Sequence, residues 1–250
     1  LFEFVRNDLF NARQYFATNH STLKRNQFGG TIGGPIVKNK LFFFGGYQGT
    51  LIRQDPADVE SFVPTAAMMA GDWTTLASPA CNAGRQIALR APFINNRIDP
   101  ALYSKPAVYI TNKTLASQSG PPNDCGLVRW GRPSLENDHQ FVGKVDYQKG
   151  DRHSLFGRFL VSTQHIPTSF SLTKNLLATP TRGTNVTSES YSFGDTYLIG
   201  PNTVHAFRLG VNRVVARALQ NDFFSWCDAG VVNYNCSFTP TYLGGLSITG

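Results

Sequence analysis

The feature that most constrains this chain is a two-residue alternation of side-chain character, repeated in segments that short polar turns separate. In one segment the first set of alternate residues is apolar or small: Phe141, Gly143, Val145 and Tyr147. The other set of alternate residues is Gln140, Val142, Lys144 and Asp146. Successive side chains of a β-strand point to opposite faces of a sheet, so the pattern predicts a strand with one apolar and one polar face. The same alternation returns in RHSLFGRFLVSTQH, VTSESYSFGDTYLI and TVHAFRLGVNRVVARAL.

The connections between these segments alternate between short and long. The short ones are VKNK, KGD and GPN, and the long ones are residues 8–22, 55–135, 166–185 and 218–250. Short turns at one end, long loops at the other and alternating strands of about ten residues are typical of outer-membrane β-barrels. We therefore predict an all-β fold: a partial antiparallel transmembrane β-barrel of about seven strands with long extracellular loops. A secreted β-sandwich also alternates and stays open as an alternative.

Composition narrows the class of protein. Charged residues make up 16% and aromatic residues 12% of the chain, which is not the composition of a disordered segment. No apolar run approaches the roughly 20 residues of a transmembrane helix. The formal net charge is +7, but its basic residues are scattered singly, which argues against nucleic acid as a partner.

Cysteine use indicates an oxidising compartment. The four cysteines fall into two local pairs, Cys81 with Cys125 and Cys227 with Cys236, all on the long-loop side. Neither pair forms a CxxC motif or has histidines at zinc-ligand spacing. We predict two loop disulfides, as in the periplasm or at the cell surface.

The glycine-rich stretch QFGGTIGGPIVKNKLFFFGGYQGT raises the question of phosphate binding. The outer glycines have the spacing of a P-loop, but Pro35 and Ile36 occupy the positions of its lysine and hydroxyl residue. A second strand follows instead of a helix. We therefore predict a structural hairpin, with Phe28 and Ile32 on one face and Gln27 and Thr31 on the other. Its small or turn-associated residues are Gly29, Gly30, Gly33, Gly34 and Pro35.

Residues that carry chemistry are sparse. The five histidines are dispersed, and no nucleophile, metal or calcium motif is present, so we expect no enzyme activity, cofactor or metal site. On a barrel, the polar face is the lumen face. The predicted lumen-facing residues are Lys144, Asp146, Arg158, Arg208 and Asn212. Asp195 falls on the apolar side of its strand, and either a bulge or a place near the membrane interface would accommodate it.

Four segments resemble those of a known family. FEFVRNDLFNARQYF, followed by LKRNQFGGTIGGPIVKNKLFFFGGYQGT, resembles TonB-dependent outer-membrane receptors of the Oar-like kind, and VPTAAMMAGDW and ENDHQFVGKVDYQKGDRHSLFGRF are similar to its next segments. The resemblance covers most of residues 1–165. It implies a barrel of about 22 strands around a plug, energised by the TonB–ExbB–ExbD system. Residues 1–250 are then expected to be an N-terminal barrel section, with 55–135 as a large extracellular loop and with the plug and C-terminal barrel outside the chain.

The expected function follows from that resemblance. The whole protein would bind a scarce nutrient at its extracellular loops and import it across the bacterial outer membrane, with outer-membrane lipid around the barrel. Siderophore, cobalamin, glycan and peptide all remain open as the ligand. The alternatives are an adhesion or binding barrel without transport, and a secreted β-sandwich lectin or hydrolase. By itself, this section is expected neither to transport nor to fold stably, since about seven strands leave open edges.

Overall fold

A computed structural model of the chain describes residues 1–13, 15, 22–55, 59–118, 120–221 and 223–231. In chain order its strands are β1 (Phe2–Asn7), β2 (Thr22–Val37), β3 (Leu41–Asp55), β4 (Val59–Phe62), β5 (Leu127–Trp130), β6 (Ser134–Lys149), β7 (His153–Ile166), β8 (Gly183–Gly200) and β9 (Thr203–Leu219). Seven of them form one antiparallel sheet in the order β1-β2-β3-β6-β7-β8-β9. The predicted all-β class and the number of strands in the main sheet are confirmed.

The ends of the sheet differ as the sequence predicted. Residues 38–40, 150–152 and 201–202 make the short turns at one end, and the long connections lie at the other. The six strands from β2 to β9 in this sheet are 14–18 residues long, however, whereas the sequence predicted about ten. A tilted strand crosses a bilayer with about 9–11 residues, so each of these strands is longer than a membrane span.

The register sorts the side chains onto two faces. Directly opposed residues share a face, and one row across the sheet is Phe43, Val145, Gly157, Phe193 and Leu209. The next row is Phe44, Lys144, Arg158, Ser192 and Gly210. We call the face of Val145 the apolar face and the face of Lys144 the polar face. The large side chains that the apolar face exposes include Ile32, Phe141, Val145, Phe159, Tyr191, Phe193, Leu209 and Val211.

The glycine-rich stretch forms the predicted hairpin. β2 and β3 pair from Thr22 with Asp55 to Val37 with Leu41, with a bulge between Pro35 and Val37. Asn39 takes a left-handed conformation (φ 60°) in the turn, a backbone region that asparagine tolerates better than most residues. A Cβ on Gly29 would overlap the Tyr47 carbonyl and the Phe2 ring, whereas one on Gly34 would meet nothing within 4 Å. The glycine pairs therefore do not all serve one role.

The connection from β3 to β6 is a folded insertion. It contains the β4–β5 hairpin, a short helix α1 (Ala66–Met69) and a longer helix α2 (Lys105–Ala116). The sequence predicted a large loop over 55–135 and did not predict α2 or the hairpin. A further helix, α3 (Ser169–Thr173), lies between β7 and β8.

The core of the described part of the chain lies among the long loops. Its buried hydrophobic residues are Val63, Met68, Ala77, Val128, Ala178, Phe224 and Ala229, all on the long-loop side of the sheet. Across the described residues, no second sheet packs face to face on the main one, since the other sheet is the two-stranded hairpin. The β-sandwich alternative is therefore wrong.

Candidate functional site

The five residues predicted to face a lumen lie on the polar face, in three successive rows near the short turns. Asp146 and Arg208 belong to the first row with Phe156, since both connect to it through opposed pairs. Lys144 and Arg158 pair directly in the second row. Asn212 pairs with Ser190 in the third. The structure thus brings together on one surface residues that are up to 68 positions apart in the sequence.

Phe156 is the centre of this cluster. Lys144 Nζ lies 5.5 Å and Arg208 Cζ 5.3 Å from the centre of its ring, within the range of a cation–π interaction. Lys144 also makes an ion pair with Asp146 at 2.7 Å. Gly194 lies beside Phe156 in the same row, and a Cβ there would overlap the ring. Only glycine at this position leaves room for the ring to pack against the sheet.

The two arginines of the cluster have no carboxylate partner among the described contacts. Arg208 donates to the carbonyl oxygens of Asp195 and Phe207, both at 2.8 Å, and to Thr196 Oγ1 at 3.0 Å. Arg158 donates to Ser192 Oγ at 3.3 Å. Three cations therefore stand against one carboxylate, Asp146, which makes this part of the polar face positive and rich in hydrogen-bond donors.

A second polar region lies on the same face closer to the long loops, and from the sequence only Gln27 and Gln140 of it were placed on the polar side of their strands. Its opposed pairs are Gln27 with Thr50, Gln48 with Gln140, Gln140 with Ser162, and Asp138 with Gln164. We call these seven residues the amide patch. Gln164 Nε2 donates to Glu136 Oε1 at 2.7 Å, and Ser162 Oγ donates to Asp138 Oδ1 at 3.4 Å. Alternation extended beyond ten residues would have located it.

The apolar face changes character along the strands. Near the short turns it is apolar, and towards the long loops it becomes polar: Asn137, His139, Thr163, His165, Asn185, Thr187, Glu189, Arg213 and Arg217. Glu189 and Arg213 form an ion pair at 3.1 Å where this change occurs in β8 and β9. On β6 and β7 the apolar part spans Phe141–Tyr147 and Leu155–Val161. An apolar band of limited height is the surface that a barrel presents to lipid.

Asp195 lies on the apolar face without a bulge. The pairing of β8 with β7 and β9 is unbroken there, and the only irregularity is between Leu198 and Gly200. Of the two explanations that the sequence left open, a bulge or a place near the membrane interface, the bulge is therefore excluded. Asp195 instead accepts a 2.7 Å hydrogen bond from His153 Nε2, near the short-turn end of the strand. The ring of His153 also meets Tyr197 edge to face, so polar and aromatic groups surround the carboxylate.

The insertion is tied together covalently and electrostatically. Cys81 and Cys125 form a disulfide, which confirms the first predicted pair. Cys236 lies outside the described residues, so its pairing with Cys227 stays a prediction. The hydroxyl and backbone N–H of Thr74 donate to Asp72, and with Arg97 at 3.1 Å they hold the pKa of this carboxyl below its ordinary value.

The long loops also contact one another. Tyr109 of α2 meets Phe224 edge to face, and Phe224 meets Phe223, which in turn contacts Phe170 of α3. Gln118 and Asn175 exchange hydrogen bonds of 2.9 and 3.3 Å. The insertion, the β7–β8 connection and the segment after β9 therefore form one packed layer above the sheet end.

The described residues contain no group of three or more histidine, cysteine, aspartate or glutamate side chains that could hold a metal ion. In that same part of the chain, no helix is both long and apolar enough to cross a membrane. Asp138 and His139 are neighbours on β6 and point to opposite faces. His139 Nδ1 is 2.8 Å from the hydroxyl oxygen of Tyr47.

The comparisons with known proteins agree with this geometry. A family model described as outer membrane beta barrel domain matches residues 1–250, the full length of the sequence. No curated protein and no solved structure matched the chain. Such a domain has the arrangement seen here: one antiparallel sheet with an exposed apolar face, a polar face, and long loops at one end. The chain therefore belongs to the outer membrane beta barrel domain family, and its location is the bacterial outer membrane.

Proposed function

We propose that this chain is a wall section of a TonB-dependent receptor that binds a scarce nutrient and imports it across the outer membrane. The observation that carries the proposal is the polar face, where two hydrogen-bonding regions succeed each other from the long loops to the short turns. A surface of this kind suits a lumen through which a polar solute passes. The resemblance of most of residues 1–165 to Oar-like receptors supports the finer assignment.

On this proposal, different parts of the sheet and its loops have different roles in transport. The packed layer of long loops and the amide patch contact the ligand first, because they lie at the extracellular end of the sheet. The cluster around Phe156, with Lys144, Arg158 and Arg208, lines the lumen near the periplasm. The TonB–ExbB–ExbD system supplies the energy through parts of the protein outside this chain. The section itself performs no catalysis and needs no cofactor.

The test uses the intact protein in its own bacterium. A deletion strain is grown with ferric siderophores, cobalamin, glycans or peptides as the limiting nutrient, and the nutrient on which it fails is then used, radiolabelled, as the probe. We expect cells with the protein to accumulate this label only when TonB is functional, whereas binding at the cell surface persists without TonB.

The second candidate, an adhesion or binding barrel, differs from the receptor in the accumulation that it predicts. Surface binding would then be the same with and without TonB, and no label would accumulate in either strain. The folded insertion favours this alternative, because its buried core and its disulfide give the long-loop end a stable surface. Accumulation in cells that lack TonB would contradict the receptor proposal.

A further inference from the structure

The short-turn end of the sheet carries a row of basic residues. Lys38 and Lys40 lie in the turn between β2 and β3. Lys149 ends β6, and Arg152 is the last residue of the turn between β6 and β7. All four are exposed. We call them the basic rim. The one acidic residue in these turns is Asp151, so four cations face a single carboxylate.

Backbone hydrogen bonds join the turns into a continuous edge. The carbonyl oxygen of Lys40 accepts from the N–H of Gln148 at 2.7 Å, which ties the first turn to β6. The carbonyl oxygen of Arg152 accepts from the N–H of Leu198 at 2.8 Å, which ties the second turn to β8. The basic residues are therefore held side by side along one edge rather than scattered over separate loops.

This edge adjoins the apolar face directly. Leu41 follows Lys40, Tyr147 precedes Lys149 by two residues, and Leu155 follows Arg152 by three, all three on the apolar face. Long basic side chains at the end of an apolar surface extend their charge to the level of lipid headgroups. The basic rim thus lies where the apolar band ends and the headgroups of the adjacent leaflet begin.

We propose that the basic rim binds the phosphate groups of anionic phospholipids in the periplasmic leaflet of the outer membrane. Short turns of outer-membrane barrels face the periplasm, which places the rim at that leaflet. Basic residues near a membrane surface each favour anionic lipid, and four neighbouring ones act together. A soluble anionic partner would not require the cations to border the apolar face. The site is independent of the cargo and of the energy source.

The experiment measures lipid retained by the intact outer-membrane protein. The protein is purified in mild detergent and mixed with equal amounts of phosphatidylethanolamine and phosphatidylglycerol, and bound lipids are counted by native mass spectrometry. We expect phosphatidylglycerol to be enriched on the wild type. In the variant K38Q/K40Q/K149Q/R152Q, the ratio of bound phosphatidylglycerol to phosphatidylethanolamine should fall roughly tenfold or more below that of the wild type. High salt should lower the ratio of the wild type by a similar factor.

A matched control removes the same charge elsewhere. The variant R85Q/R90Q/K105Q/R132Q loses four exposed cations from the insertion and should retain the wild-type lipid preference. Heat-modifiable gel mobility checks that each variant has folded. Should the fourfold rim variant not assemble, K38Q/K40Q and K149Q/R152Q are measured separately, with smaller losses expected. Equal phosphatidylglycerol enrichment in folded rim variants and wild type would overturn the proposal, as would an equal loss in the control.

Discussion

At the scale of single residues, glycines decide where aromatic rings lie on this sheet. Phe159 packs against Gly143 on the apolar face and Phe156 against Gly194 on the polar face, in both cases from the directly opposed position. A side chain at either glycine would occupy the space of the ring. Glycine weakens a strand by itself, so its presence here reflects the packing of the ring rather than strand propensity.

The first prediction concerns Gly143. We expect Gly143→Ala to lower the free energy of unfolding of the intact protein by roughly 1–3 kcal/mol, because the Phe159 ring must leave its place. The measurement is the urea midpoint in detergent. Gly157→Ala is the matched control on the same face, since a Cβ there meets nothing within 4 Å. Equal effects of the two substitutions would contradict the packing argument.

The second prediction concerns the pair on the apolar face. His153→Leu should destabilise the protein by about 1–3 kcal/mol, because Asp195 loses its hydrogen-bond partner. Replacing both residues, in H153L/D195L, should recover most of the loss, since no polar group is then left unpaired. Unfolding of the two single variants and the double variant gives the coupling energy. His205→Leu, on the same face of β9, serves as the control. If the losses of the two single substitutions add up to that of H153L/D195L, the pair is not coupled.

At the scale of elements, the strands and the insertion behave as separate layers. The strands gain their order from pairing, while the buried apolar residues belong to the long loops. Alternation predicted the strands but placed their ends too early, because both faces become polar towards the long loops and the contrast fades. Helix α2 was missed because its surface is only weakly amphipathic and no side chain caps its N-terminus.

The third prediction is a pH dependence of the insertion. Its basis is the pKa of Asp72, which Thr74 and Arg97 lower from its ordinary value of 3.8. A carboxyl with a lowered pKa stabilises the fold above pH 3.8, and the contribution is lost as the pH falls from there through the folded-state value. We expect hydrogen exchange around residues 72–97 to speed up in that range. Asp72→Asn should remove this acid-induced change. The prediction is contradicted if hydrogen exchange in the variant depends on pH as it does in the wild type.

At the scale of the whole molecule, the described sheet has two free edges. Each of the outermost strands, β1 and β9, pairs on one side only. In lipid, unpaired backbone groups are costly, which is why spanning sheets close into barrels. The apolar face, moreover, exposes many large hydrophobic side chains, a surface that lipid covers in the outer membrane. The sheet is therefore a section that requires further strands for closure.

The fourth prediction follows from these edges. Residues 1–250 produced alone and refolded in detergent should form aggregates, because β1 and β9 remain available for pairing with other copies. The intact protein, treated in the same way, should give a monomer with heat-modifiable mobility. Size-exclusion chromatography with light scattering distinguishes the two. A stable, monodisperse monomer of the isolated section would show that the edges are satisfied within it.

The sequence by itself determined the two faces, the sorting of short turns from long loops, and the first disulfide. The faces and the turns depend on the two-residue period of a strand and on local composition, which neighbouring residues specify. The disulfide was predicted because all four cysteines lie in the long connections. Only the tertiary structure decided that Lys144 stands beside Arg158, that His153 meets Asp195, and that three loops share one core. Those contacts join residues far apart in the chain, and register and loop packing arise from many such contacts at once.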